Sequence, residues 1–384
     1  MKKILPSTLL LLGVSSTLLA QTYDRSTGGF WDDLDQWSPE KGRPRRVPNG
    51  ERVQINLNNA GTNPLNLDLK GNSYVINELN VSGNAWRFSR GTLAFSTLEF
   101  VPAQIRYSGT QTLTLATALD LRAITELNVS DSAGTVRLAG MITGNGMLIK
   151  DGNGTLLIEA PFGTGSSQLY LRGGTTGIAS TSLGSHDFSV VADSNLFAFN
   201  SDLYIAGTLK TFSPNIKLNV IDNPSDPTPH SVILKGDKFG DGTINQLSHG
   251  DLIFEGTDHF KGTLNTQAGY GRIILNSNTT ANVQMKGGQI AGIGGTRGDL
   301  TARNGAIISP GYNGSSGTLS FRDAYFDPST ILNFKFGQSN VIGNFQNDLV
   351  QIDKNLTLAG KLGIHAALGL GDGASTDRST RWYH

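Results

Sequence analysis

The sequence predicts an all-β fold and, within that class, a right-handed parallel β-helix in which short strands coil one above another. Three observations lead there. Apolar and polar residues alternate over short runs such as Val53-Gln54-Ile55-Asn56-Leu57, Leu119-Asp120-Leu121, Leu127-Asn128-Val129 and Val136-Arg137-Leu138. A period of two buries one face of each run. Gly, Asn, Asp and Ser separate the runs, which recur about every 8 to 12 residues. The same texture continues from residue 51 to residue 365 with no break in composition, which suits a quasi-one-dimensional stack. The alternative is an antiparallel sandwich or barrel. Asn145-Gly146, Asn153-Gly154 and Asn304-Gly305 favour it, because Asn-Gly closes two-residue hairpins. The hand follows the general preference of parallel crossovers.

Residues 1–20 read as an export leader. Lys2 and Lys3 give a positive start, Leu5 to Leu19 is apolar, and Ala20 supplies a small residue for cleavage. Pro6, Gly13 and Ser15-Ser16-Thr17 interrupt the run, which is shorter than the ~20 residues that cross a bilayer. The mature chain is expected to start near Gln21 and to carry no transmembrane anchor. Residues 21–50 hold Phe30, Trp31 and Trp37. Their expected role is to cap the open end of the stack, since a bare coil end exposes strand edges and apolar surface. Residues 366–384 form a polar tail containing Arg378, Arg381 and Trp382.

Composition narrows the chemistry. There are 48 Gly and 4 Met, and only 16% of residues are charged, a usage that disfavours helices. The absence of cysteine excludes disulfides and thiolate metal sites. Lys plus Arg and Asp plus Glu number 31 each, and no long block of one sign suggests a nucleic-acid partner.

The segment Ile142-Thr143-Gly144-Asn145-Gly146-Met147-Leu148-Ile149-Lys150-Asp151-Gly152-Asn153-Gly154-Thr155-Leu156-Leu157-Ile158 resembles the autotransporter-associated β-strand repeat, I-x-G-x-G-x-L-x-K-x-G-x-G-T-L-x-L, and departs from it only at Ile158. Gly298-Asp299-Leu300-Thr301, Gly305-Ala306-Ile307-Ile308-Ser309-Pro310-Gly311 and Gly317-Thr318-Leu319 are similar to the closing coils of such passengers. So are Asn347 to Ile352 and Leu356 to Leu362, with Lys354-Asn355 standing where glycine is usual. A looser likeness joins Trp31, Trp37-Ser38, Pro48 and Val53 to the N-terminal segment of the same proteins. The resemblance implies a right-handed β-helix that acts outside the cell as a structural or adhesive surface, with no cofactor and with cell-surface or matrix glycans or proteins as partners. Passengers normally continue into an outer-membrane barrel or a sorting helix. The polar tail resembles neither, so the expectation is a released protein, one held by partners, or a truncated reading frame.

Two rival functions share this fold: a polysaccharide lyase or hydrolase, and a glycan-binding module without turnover. No nucleophile elbow, zinc helix or phosphate loop occurs, but β-helix enzymes gather carboxylates from neighbouring coils. Asp237, Asp241, Asp251, Glu255 and Asp258, with His249 and His259, are the densest such set and would supply a general acid and base. Solvated turn residues are the plainer reading. Asp237 to Ser248 has a glycine, Gly242, where a calcium loop needs one, but Phe239 and Ser248 occupy ligand positions, so no metal is expected. Arg297-Gly298-Asp299 is read as part of the closing-coil pattern. Lys41-Gly42-Arg43-Pro44-Arg45-Arg46 is read as an extended solvated loop.

Overall fold

The structure is a computed structural model that describes residues 21–39, 45–97, 101–165, 167–180, 182–337, 342 and 346–368. The leader, Lys41 to Pro44 of the basic cluster, and the tail from Gly369 lie outside these residues.

The chain winds into a parallel β-solenoid in which each coil contributes strands to successive sheets. The first sheet has twelve strands, among them Gln21–Arg25, Val53–Asn59, Glu78–Gly83, Ala103–Tyr107, Thr125–Val129, Met147–Asp151, Gln168–Leu171 and, at its far edge, Asp258–Phe260. A second sheet of fifteen strands runs from Gly29–Phe30 to Leu356–Leu358. The third side comprises a four-stranded sheet, Ser73–Ile76 to Ile142–Gly144, and an eight-stranded one, Leu203–Ile205 to Gly363–Leu368. A last four-stranded sheet starts at Asn278–Thr279 and joins the end of the first, since the Thr280 hydroxyl donates to the Phe260 carbonyl at 2.8 Å. Among the named strands described, the one antiparallel pair is Gln21–Arg25 with Ser38–Pro39. Gln21–Arg25 also pairs in parallel with Val53–Leu57, so the solenoid takes up the chain from Gln21, ahead of the aromatic segment.

The antiparallel alternative fails at its own signature. Asn304 and Gly305 do adopt positive φ, 58° and 73°. The strands they join, Leu300–Arg303 and Ile307–Pro310, nevertheless belong to different sheets, so the turn is a corner between two sides of a coil.

Alternation becomes a core because parallel stacking places like residues above like. Leu115, Leu138, Ile158, Ile178 and Ala198 stand in register on successive coils and are buried, each large aliphatic contributing about 1.5–3 kcal/mol. Outside the second sheet another column, from Thr112 through Thr135, Thr155 and Thr175 to Asn195, Asn219, Asn245 and Asn265, is neutral and polar. Its asparagines form a ladder: Asn219 Nδ2 donates to Asn195 Oδ1 at 2.9 Å, Asn245 to Asn219 at 2.7 Å and Asn265 to Asn245 at 2.7 Å. The sequence separations of these links, 24, 26 and 20 residues, show that coils differ in length while their strands stay in register.

At the N-terminal end Trp31 and Trp37 are fully buried. Their rings meet edge-on at 5.1 Å, and Trp31 stacks on Tyr74 at 5.2 Å. Trp31 Nε1 donates to the Pro48 carbonyl (3.1 Å) and Trp37 Nε1 to the Trp31 carbonyl (2.6 Å). Burial on this scale excludes stacking of either indole on a sugar. Arg25 lies 4.9 Å from the Trp37 ring centroid and donates to the carbonyls of Thr27, Gly28 and Phe30; burial lowers its pKa to about 10.

Candidate functional site

The acidic set picked out from the sequence is divided: Asp237, Glu255 and Asp258 lie near the buried Lys238, while Asp251 and His249 face other partners. Asp251 is held by Arg272, whose Nη2 lies 2.6 Å from Oδ2. His249 belongs to a different constellation: its Nδ1 lies 2.6 Å from Asp222 Oδ2 and its ring sits 5.7 Å from Tyr270. Glu255 faces Lys235 at 3.9 Å. Asp237 and Asp241 are exposed corner residues. His259 is exposed and stacked on Phe239 at 5.1 Å. Asp258 alone of the set turns inward, and its carboxylate accepts from the Phe260 amide at 2.9 Å. Among the described residues no group of three His, Asp or Glu is placed to hold a metal ion.

Asp258 has a buried neighbour that sequence reading passed over. Lys238 is its register partner on the preceding coil and donates to the carbonyls of Leu234 (3.2 Å), Gly236 (2.8 Å) and Glu255. Burial raises the Asp258 pKa and lowers that of Lys238. Lys150, the lysine of the repeat motif, behaves alike. It is fully buried between its register neighbours Leu127 and Leu171 and donates to the carbonyls of Asp151 (2.8 Å), Gly152 (2.9 Å) and Gly173 (3.3 Å). Its amine satisfies corner carbonyls that have turned away from the ladder, which explains a lysine at an inward position.

Desolvation lowers the Lys150 pKa to about 8, against roughly 10.4 in an unfolded chain. Between those values the unfolded chain keeps a proton that the folded one releases, so stability rises with pH in this window. The gain from this side chain is at most about 3 kcal/mol. Below pH 8 both states are charged and the penalty is present in full. Urea unfolding of the protein and of Lys150→Met at pH 7 and pH 10 checks this. The parent should gain on the variant with rising pH, and a constant difference between them would sink the account.

Arg297-Gly298-Asp299 is absorbed by structure. The Asp299 carboxylate lies 2.6 Å from Arg322 Nη2, and a Cβ on Gly298 would lie 2.2 Å from the Ala281 carbonyl oxygen. In the basic cluster, Arg45 pairs with Asp35 at 3.0 Å.

A groove of about 420 Å³ lies on the outside of the first sheet. Two polar rails bound it, each adding one residue per coil: Asn56, Asn80, Arg106 and Asn128 on one side, Asn58, Ser82, Ser108 and Ser130 on the other. Spacing of two along each strand puts both rails on the outer face. Asn56 Nδ2 donates to Asp24 (2.8 Å), Asn80 Nδ2 donates to Asn56 (2.9 Å), and Arg106 pairs with Glu78. Ser82 and Ser130 donate to the carbonyls of Leu57 and Tyr107, both at 3.3 Å. Asn58, Ser108 and Asn128 have side chains with no hydrogen-bond partner among the described residues. A second hollow, of about 400 Å³, lies by His186 and Asp187. Those side chains are already engaged, His186 Nδ1 with the Leu183 carbonyl (2.9 Å) and Asp187 with Lys210 (3.3 Å). The sequence signal for the groove was the recurrence of Asn at the outward position of successive strands, which alternation had assigned only to solvent.

Among the described residues no helix is long and apolar enough to cross a membrane. No family model and no solved structure matches the chain. The Adhesin BmaC autotransporter of Brucella suis biovar 1 (strain 1330) is 28% identical to it over 137 residues, which covers 34% of this chain and 4% of that protein's length. The chain therefore spans only a small part of the relative it matches. Taken with the stacked parallel coils, this similarity makes the protein autotransporter passenger-like.

Proposed function

We propose that the protein is exported through the general secretory route and works outside the cell as a non-catalytic β-helix with an adhesive or structural role. Its partners are then glycans or proteins of cell surfaces or matrix. The observation that carries this reading is the parallel stack, continuous through the fifteen strands of the second sheet, which gives a rod with long outer faces, in a chain similar over 137 residues to an adhesin. Asp251, Glu255 and His249 each face a partner outside the set and Asp258 is turned into the core, which supports a surface that binds without turnover. A hydrolase needs two carboxyl groups flanking one bond, about 5 to 10 Å apart. The test immobilises purified residues 21–384 and measures retention of cells and matrix, alongside release of new sugar ends from extracellular polysaccharides. Retention without cleavage is expected. New ends that disappear in Asp241→Asn or Glu255→Gln would make this an enzyme.

A further inference from the structure

We infer that the railed groove on the first sheet is a binding site for an extended, uncharged glycan chain lying along the axis of the solenoid. The inference rests on the adhesive reading and gives it a site and a ligand class.

Four features of the groove lead to that class. It crosses successive coils, each about 4.8 Å above the last, so one set of polar groups repeats at roughly the length of a sugar ring. The free groups are the amides of Asn58 and Asn128 and the hydroxyl of Ser108. A primary amide presents donors and an acceptor side by side, the complement of neighbouring hydroxyls on a sugar. Charge is balanced, because Arg106, the cationic member of the rails, is paired with Glu78. An anionic glycan or a nucleic acid would require unpaired Lys or Arg along its path. Finally, the strands beneath the groove are hydrogen-bonded on both edges. A peptide therefore has no open edge to join as an extra strand, and recognition passes through the side-chain rails.

The rails point outward, so their substitution leaves the core intact. The experiment uses purified residues 21–384, the double variant Asn58→Leu/Asn128→Leu, and a control, Gln284→Ala/Thr301→Ala, on the outside of the second sheet. Binding to cellohexaose, mannan and dextran, and to heparin and polygalacturonate as anionic probes, is measured by calorimetry at low and high salt, with circular dichroism melts confirming the fold. We expect at least one neutral glycan to bind with little salt dependence, a loss of about tenfold or more in the groove variant, and no loss in the control. Binding confined to the anionic probes, binding unchanged in the groove variant, or no binding of any neutral glycan at millimolar concentration would each overturn the inference. The cell-retention assay separates the two claims. Retention that survives Asn58→Leu/Asn128→Leu leaves an adhesive protein with a different site, and parent protein that retains nothing removes the adhesive reading itself.

Discussion

Replacing Trp31 with alanine should cost about 3–5 kcal/mol, the usual range for removing a fully buried indole. Trp31 touches Trp37, Tyr74 and Phe88 at the N-terminal end of the stack. In a solenoid each coil is stabilised by its neighbours, so a capping role predicts that its loss spreads. We expect hydrogen exchange to accelerate first in Gln21–Arg25 and Val53–Asn59 and progressively less in later coils. Uniform acceleration along the whole rod would show that the indole acts as ordinary core rather than as a cap.

An effect of similar size is expected from a single methyl group in the repeat motif. A Cβ on Gly146 would lie 2.1 Å from the Ala123 carbonyl oxygen. The obstacle is backbone on the neighbouring coil, and the Gly146 amide itself donates to the Leu121 carbonyl at 2.7 Å. Gly146→Ala must force the two coils apart and should cost about 3–5 kcal/mol through overpacking and a lost hydrogen bond. Gly71 offers the contrast. Its φ is 81° but nothing lies within 4 Å of an added Cβ, so Gly71→Ala should cost only the left-handed strain of about 1–2 kcal/mol. Urea midpoints of the two variants decide the matter, and equal losses would refute the distinction between close approach and backbone conformation.

The class of fold was legible because alternation fixes which residues go inward whatever the strands pair with. Leu127 and Val129 point to the core in a sandwich and in a solenoid alike. Parallel stacking was legible only through length, uniform texture and the repeat, because Asn-Gly serves a hairpin and a coil corner equally well. Lys150 shows the limit most plainly. Its place in the motif was readable, but nothing in a one-dimensional pattern says that a lysine aimed at the core will find three carbonyls there. The partners of the acidic residues were illegible for a related reason. Asp251 and Glu255 are near in sequence, yet each answers to a cation on another turn of the chain, Arg272 and Lys235. The groove escaped notice because its rails draw one residue from each of several coils, and alternation alone marks such residues merely as outward.

The asparagine ladder on the second sheet makes the rod adjustable in whole steps. Since Asn195, Asn219, Asn245 and Asn265 meet amide to amide while the chain between them varies in length, corners absorb insertions that strands do not register. Excising one coil, by joining the residue before Asn219 to Asn245, would bring two like amides face to face again and shorten the rod by one strand spacing, about 4.8 Å. The length of such a rod can thus drift by duplication and deletion of coils, each change leaving a bondable seam.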